Sequence, residues 1–315
     1  MEVIAYTKEH SAQWDLWCSE AVNGTFLATR HFLSYHGDRF QDASVLIMES
    51  DKLVGVFPAA ISLEDNKQIV SHPGATFGGV VHNGWLSGNR MIEALGELRN
   101  YYQQNDFDSI IYKAIPYTYS QHPSQDDLYA LFRLGAKRVR SDLACTINLK
   151  HRRRPSSRRR RNLKKALKVV TLNADSSLMG SFWEVLVENL ARKHGAKPVH
   201  SLSEIQLLKA RFPNEIQLRG ALIEGELHAG IVLFNSPEVW HAQYIATSED
   251  GNKISALDAV FDAAVNEAVE ANISYFDFGT SNEDSGRVLN DGLYRFKSEF
   301  GGGGVAHEFY QLDIS

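Results

Sequence analysis

The chain has 315 residues, 43% of them hydrophobic and 23% charged, with a net charge of −5. That length allows two domains of ordinary size, the charge excludes a generally basic nucleic-acid binder, and no apolar run reaches the eighteen residues of a membrane span. Two cysteines, Cys18 and Cys145, are too few for a disulfide framework, and MEVIAYTKEHSAQWDLW lacks a basic-then-apolar leader pattern, so a cytoplasmic location is expected.

In chain order, VIAY reads as a short strand and HSAQWDLWCSEAV as a helix, with Trp14, Trp17, Cys18 and Ala21 at helical spacing. SVLIMES and LVGVFPAAI form a hairpin with a polar turn near Asp51. GNRMIEALGELRNYY is helical, with Met91, Leu95, Leu98 and Tyr102 on one face. DSIIYKAI is an apolar strand, and SQDDLYALFRLGA is a helix capped by Ser124 and closed by Gly135.

The second half repeats this order. GSFWEVLVENLARKHG is a helix, and Ser201 with Glu204 spells a capping box. QLRGALIE and LHAGIVLF form a second hairpin, VWHAQYIA is a strand, SALDAVFDAAVNEAVEAN a helix and ISYFDFG a strand. The repeated element order predicts two copies of one α/β unit. The expected division is residues 1–150, a basic linker helix over 151–169, and 170–315.

RRRPSSRRRRNLKKALK, Arg152 to Lys168, carries ten cations and no acid; without it the chain has 23 basic and 38 acidic residues, a net of −15. Pro155 suits a helix start, and a helix is predicted from Ser157 to Val169. Arg158, Arg159, Arg160 and Arg161 crowd its N-terminal end, where the macrodipole disfavours cations, and Lys164 follows one turn on. That arrangement suits a bound phosphate or diphosphate, although a solvated charge run and an RNA backbone fit the composition too. A DNA-reading helix is not expected, since no helix-turn-helix pattern accompanies the run. No P-loop, GxGxxG, CxxC or HExxH occurs, and His194 and His200 are too far apart for a common zinc spacing, so no metal is expected.

YFDFGTSNEDSGRVLNDGLYRFKSEFGGG, Tyr275 to Gly303, resembles the closing signature of the FemAB-like acyltransferases, and RRRRNLKKALK is similar to that family's basic element. The resemblance extends over GTFLATRHFLSYHGDRF, LVGVFPAA and SHPGATFGGVVHNG. It implies an α/β fold of two tandem GNAT-like domains, each a mixed, mostly antiparallel sheet flanked by helices. It also implies transfer of an acyl or aminoacyl group to an amine on a phosphate-linked sugar or cell-wall precursor, with transient contact with a lipid-linked precursor among its consequences. The donor is acetyl-CoA, another acyl-CoA, or aminoacyl-tRNA; the acyl-CoA motif Q/R-x-x-G-x-G/A is replaced here by SEDGNKIS, and no long coiled-coil arm is present. Through the resemblance, Phe296 and Lys297 fall where bridge-forming members place a lysine near the reacting carbonyl.

Acyl transfer to an amine needs a polarised carbonyl and a base. Lys297 supplies a fixed positive charge for an oxyanion. Histidine as a residue type suits the base, and strict alternation places His241 with Gln243 and Ile245 on one strand face, Ala242, Tyr244 and Ala246 on the other. Glu283, in the loop after DFG, is a second candidate base. Gln243, Tyr244, Ser281, Asn290, Phe296 and His72 are expected to line substrate. Asp277 sits in mid-strand and needs a partner, whether for structure or catalysis. The competing reading is a non-enzymatic RNA- or partner-binding protein that uses the basic helix on a degenerate GNAT pair.

Overall fold

The structure, a computed structural model, describes residues 1–314 except for the side chains of Lys193 and His194, so the reading of the His194–His200 spacing lies outside it. The chain divides into two compact units that are not contiguous in sequence. The first holds Met1–Leu143, Asn282–Val288 and the residues from Ala306; the second holds Ala144–Ser281 and Leu289–Val305.

In the first unit, β1 (Glu2–Ala5), α1 (Ser11–Glu20) and α2 (Arg30–Leu33) precede β2 (Val45–Glu49) and β3 (Lys52–Phe57). These three strands form an antiparallel sheet. The predicted hairpin turn falls on Ser50 and Asp51, both at positive φ (48° and 63°), the combination that matches a two-residue turn to strand twist. β4 (Ala60–Ile61), β5 (Gln68–Val70) and β6 (Ser109–Lys113) begin a second, mixed sheet. α3 (Asn89–Gln104) lays Met91, Leu95, Leu98 and Tyr102 onto Val45, Ile47 and Phe57 in one core, as its periodicity predicted. α4 (Asp126–Arg133) starts after Gln125 rather than at a Ser124 cap, because the Ser124 hydroxyl bonds His82 Nε2 at 3.2 Å. β7 (Lys137–Asn148) then carries the chain into the second unit.

The second unit opens with α5 (Ser157–Ala166), β8 (Thr171–Asn173), α6 (Met179–His194) and α7 (Leu202–Arg211). Ser156 caps α5 by accepting from Arg159 N–H, and the predicted Ser201–Glu204 capping box is present on α7. β9 (Ile216–Ile223) and β10 (Glu226–Asn235) form the second hairpin, turning at Glu224 and Gly225, again both at positive φ. β11 (Val239–Thr247), α8 (Glu249–Lys253), α9 (Ala256–Glu270) and β12 (Tyr275–Thr280) complete the main body. The strand order here is β7-β12-β11-β10-β9-β8, antiparallel except where β11 meets β12. Phe261 of α9 packs on Phe276 and Phe278 of β12 and on Phe300, which fixes β12 with its two phenylalanines inward and Asp277 between them facing the other way.

The chain then forms β13 (Asn282–Glu283) and β14 (Val288–Leu289), which pair with each other, and α10 (Asp291–Ser298). It ends in β15 (Gly303–Asp313), whose Phe309–Asp313 stretch pairs antiparallel with β6 in the first unit. The first unit thus holds a three-stranded antiparallel sheet and strands of a mixed sheet, and the second a mixed, mostly antiparallel sheet, all with helices, the α/β class expected.

Candidate active site

The site begins where two strands separate. β11 and β12 run parallel only from Val239–Tyr275 to His241–Asp277; β11 continues to Thr247 without that neighbour. His241 and Asp277 are therefore the last matched pair before the strands part. His241 Nδ1 lies 2.8 Å from Asp277 Oδ2. A carboxylate only accepts, so Nδ1 carries the proton and Nε2 keeps the lone pair. Among the described residues Nε2 has no partner. Asp277, 1% exposed, is fixed from behind: its Oδ1 accepts from Thr146 Oγ1 and from Gly279 N–H, each at 3.0 Å.

Gly279 has φ +74° and sits against the ring edge; a Cβ there would lie 3.2 Å from His241 Cε1 and 4.0 Å from Nε2. Its carbonyl accepts from Lys297 Nζ at 3.1 Å, and the Thr280 carbonyl accepts from the same nitrogen at 2.6 Å. Lys297 is 4% exposed, and burial lowers its pKa to about 8 against the supporting charge of Asp277. Two of its three protons are used, leaving one N–H for a ligand. Cys145 is buried beside Lys297, and burial raises its thiol to about 12, which makes it inert as a nucleophile.

Next to Lys297 on α10, Phe296 borders a cleft of about 200 Å³ lined also by Arg158, Asn162, Thr247, Asn252, Ser255 and Asp258. Arg159 closes its base. It is 6% exposed, pairs with Asp258 at 2.8 Å and Glu299 at 3.2 Å, and lies 4.2 Å over the Phe296 ring. Burial raises the Asp258 carboxyl despite Arg159, and its Oδ1 has no partner. Glu299 is also pushed up by burial, but the hydrogen bonds and charges of Arg158 and Arg159 win and its pKa is lowered.

Residues 150–298 match the acetyltransferase (GNAT) domain family. This segment, just under half of the chain, is similar to a GNAT domain. His241, Asp277 and Lys297 all fall inside it. Solved structures with a similar fold include FemX (TM-score 0.71, 12% identity, 99% of this chain and 97% of that one) and L-PGS from Bacillus licheniformis (0.65, 13%, 99% and 93%). A tandem GNAT protein from the clavulanic acid biosynthesis pathway is similar at TM-score 0.53, 9% identity, covering 100% and 98%. These likenesses span both units, so the tandem GNAT fold implied by the FemAB-like resemblance is the fold found. No curated protein matches the chain in sequence.

The GNAT-like segment gathers some of the predicted residues and disperses others. His241 and Lys297 come together through Asp277 and Gly279. Gln243 is half-buried near His241, and a β-bulge falls on it, since Val232 pairs with Tyr244 and Leu233 with Ala242. The bulge breaks the alternation predicted for β11: Trp240, Ala242 and Ile245 all pack on the α9 core. Tyr244 is buried against Trp183, and its hydroxyl bonds the backbone N–H and Nδ1 of His200. Ser281 is 1% exposed with an unpartnered hydroxyl directly after the Thr280 carbonyl. Asn290 caps α10 by accepting from Leu293 N–H at 3.0 Å, a structural duty.

Glu283 is exposed and His72 buried, and both belong to the first unit, whereas His241 and Lys297 belong to the second. Of the five expected phosphate ligands, Arg159 is consumed by its buried ion pairs, and Arg158 pairs with Glu299 while lining the cleft. Arg160 is half-buried; Arg161 and Lys164 point to solvent. Asp258 and Gly279 had no signal beyond an acid in a helix and a glycine after a strand. The register that makes Asp277 the partner of His241 is a tertiary fact.

Proposed function

We propose that the protein is an N-acyltransferase that moves an acyl or aminoacyl group to an amine on a phosphate-bearing sugar or cell-wall precursor. The observation that carries this is the His241–Asp277 pair with a free Nε2 at the fork of β11 and β12. In this reading the acceptor amine attacks the donor carbonyl while Nε2 takes its proton. Asp277 holds the tautomer and stabilises the imidazolium. The remaining N–H of Lys297 donates to the oxyanion. When the intermediate collapses, the C–N bond stays, the bond to the donor oxygen or sulfur breaks, and the proton passes from His241 to the leaving group.

Arg158 is the member of the basic run that both lines the cleft and keeps an exposed edge, which supports it as the contact for the acceptor's phosphate. The segment after β11 offers little to a CoA diphosphate. Gly251 is spent on packing, since a Cβ there would meet the His228 carbonyl at 2.5 Å, and the bare Asp258 Oδ1 lies beside it. This favours an aminoacyl ester over a thioester as donor.

The test is product mass after incubation of amine acceptors, including UDP-amino sugars, with acetyl-CoA or charged tRNA. An added acyl or aminoacyl mass that disappears in H241Q supports the reading. Product formation at wild-type rate by H241Q and K297M together contradicts it.

A further inference from the structure

The outward crest of α5 is left unused by this chemistry. Arg159 and Ala166 face the core, so Arg161 and Lys164, three residues apart, lie along the opposite side, and the exposed Lys168 follows in the turn after Ala166. Lys165 flanks them. Among the described residues no acid lies within ion-pair distance of these four side chains; Lys165 Nζ instead donates to the Lys253 carbonyl at 3.2 Å. Like charges at such spacings cost helix stability, so an unneutralised row calls for an anionic partner.

The second observation is apolar. Where the crest ends, Leu167, Val169 and Leu172 are 53%, 49% and 40% exposed, interleaved with Lys168. A basic crest tipped by exposed aliphatics combines the two attractions of an interfacial helix: apolar side chains entering the acyl boundary and lysines reaching the headgroups.

We propose that this face, Arg161 to Leu172, docks the protein on an anionic lipid bilayer. Charge complementarity selects the orientation. The chain without its basic run is at −15, so an anionic surface repels most of the molecule and attracts this patch. An RNA backbone would find the cations, but would leave three aliphatics exposed and meet no aromatic side chain on the crest for stacking. The proposal does not rest on the acyl-transfer reading, because none of these residues belongs to the His241 cluster or lines the Arg158 cleft.

Flotation of the full chain with vesicles tests it, using phosphatidylcholine alone and phosphatidylcholine mixed with phosphatidylglycerol. Wild type should float only with the mixed vesicles, less so at high salt. R161E/K164E/K168E should weaken binding at least a hundredfold, at about fivefold per cation removed. L167S/V169S/L172S keeps every charge and should still weaken binding about tenfold or more. All six residues are exposed, and an unchanged circular dichroism melt checks each variant. The single change K164E, with about a fifth of wild-type binding or less, keeps the test open if a triple variant unfolds. Equal binding to both vesicles, no binding, or wild-type binding by the aliphatic variant overturns the proposal. So does an RNA oligonucleotide that displaces the vesicles and binds the aliphatic variant as tightly as wild type.

Discussion

Asp277 is placed to act through His241 rather than on substrate. Its oxygens face Thr146, Gly279 N–H and the imidazole, and it is closed to solvent. D277N should therefore leave acceptor KM near wild type and lower kcat by roughly 10²–10⁴, read by steady-state kinetics. Gly279 tolerates no side chain, for two reasons: its φ of +74° and the ring 3.2 Å from an added Cβ. G279A should cost about 1–2 kcal/mol in urea unfolding and reduce kcat further than its stability loss explains. Lys297 gives a pH signature. Its ammonium is charged below about 8, so kcat/KM should fall as pH rises past that value if the N–H serves the oxyanion. K297M should abolish that limb and, by leaving two carbonyls unpaired, lose about 2 kcal/mol or more of stability. At this scale the sequence revealed residue types but not partnerships. His241 stands out as a polar residue in an apolar strand, and Asp277 as a mid-strand acid, but 36 positions separate them and only the parallel register joins them. Asn290 and Tyr244 show the opposite situation. A cap and a buried hydroxyl look like ligand groups until their local partners are seen.

Elements carry the next set of consequences. The two-residue turns Ser50–Asp51 and Glu224–Gly225 both demand positive φ, and only one of the four residues is glycine. S50N/D51G should stabilise the protein by about 1 kcal/mol, a rise of one to a few degrees in thermal melting. α5 is anchored by a buried cation, not merely by its apolar face. Removing Asp258 alone strands part of the charge of Arg159, so D258A should cost about 3 kcal/mol, whereas replacing the pair together by apolar residues should cost less. The measurement is a double-mutant cycle in urea, and additive losses would contradict the coupling. Helices and hairpins were readable because their signals are local: the stripe of α3, the Ser201–Glu204 box, and polar pairs between apolar runs. The bulge at Gln243 was not, since it depends on how β10 pairs, and it undid the face assignment of Tyr244 and Ile245.

For the whole molecule, element order in the sequence was enough to expect a repeated α/β unit, and the GNAT-domain match and FemX-like fold agree with it. What the order did not show is that each unit is discontinuous in sequence, with Asn282–Val288 and the residues from Ala306 grouped with the first. The end of β15 joins the first unit by backbone pairing with β6, to which side-chain pattern contributes little. The first unit also sets acid stability. Burial, with the nearby charges of His36 and Lys113, lowers His72 to about 3. Burial lowers His82 to about 4, where its Nδ1 also accepts from Gly84 N–H. Both stay neutral when folded but charge readily when unfolded, near 6.5. Their contribution is intact above that pH and lost as pH falls toward 4, by roughly 5 kcal/mol together. Urea unfolding at pH 7 and pH 4.5 should show the loss, and H82Q should blunt it.

The central claim is that acyl transfer runs through one proton-accepting unit, His241 held by Asp277. Single-turnover transfer by wild type, H241Q, D277N and the double variant tests it most directly. The account predicts that the double variant is no slower than H241Q alone, because Asp277 acts only through the ring. Independent, multiplying losses, or an H241Q rate equal to wild type, would contradict it.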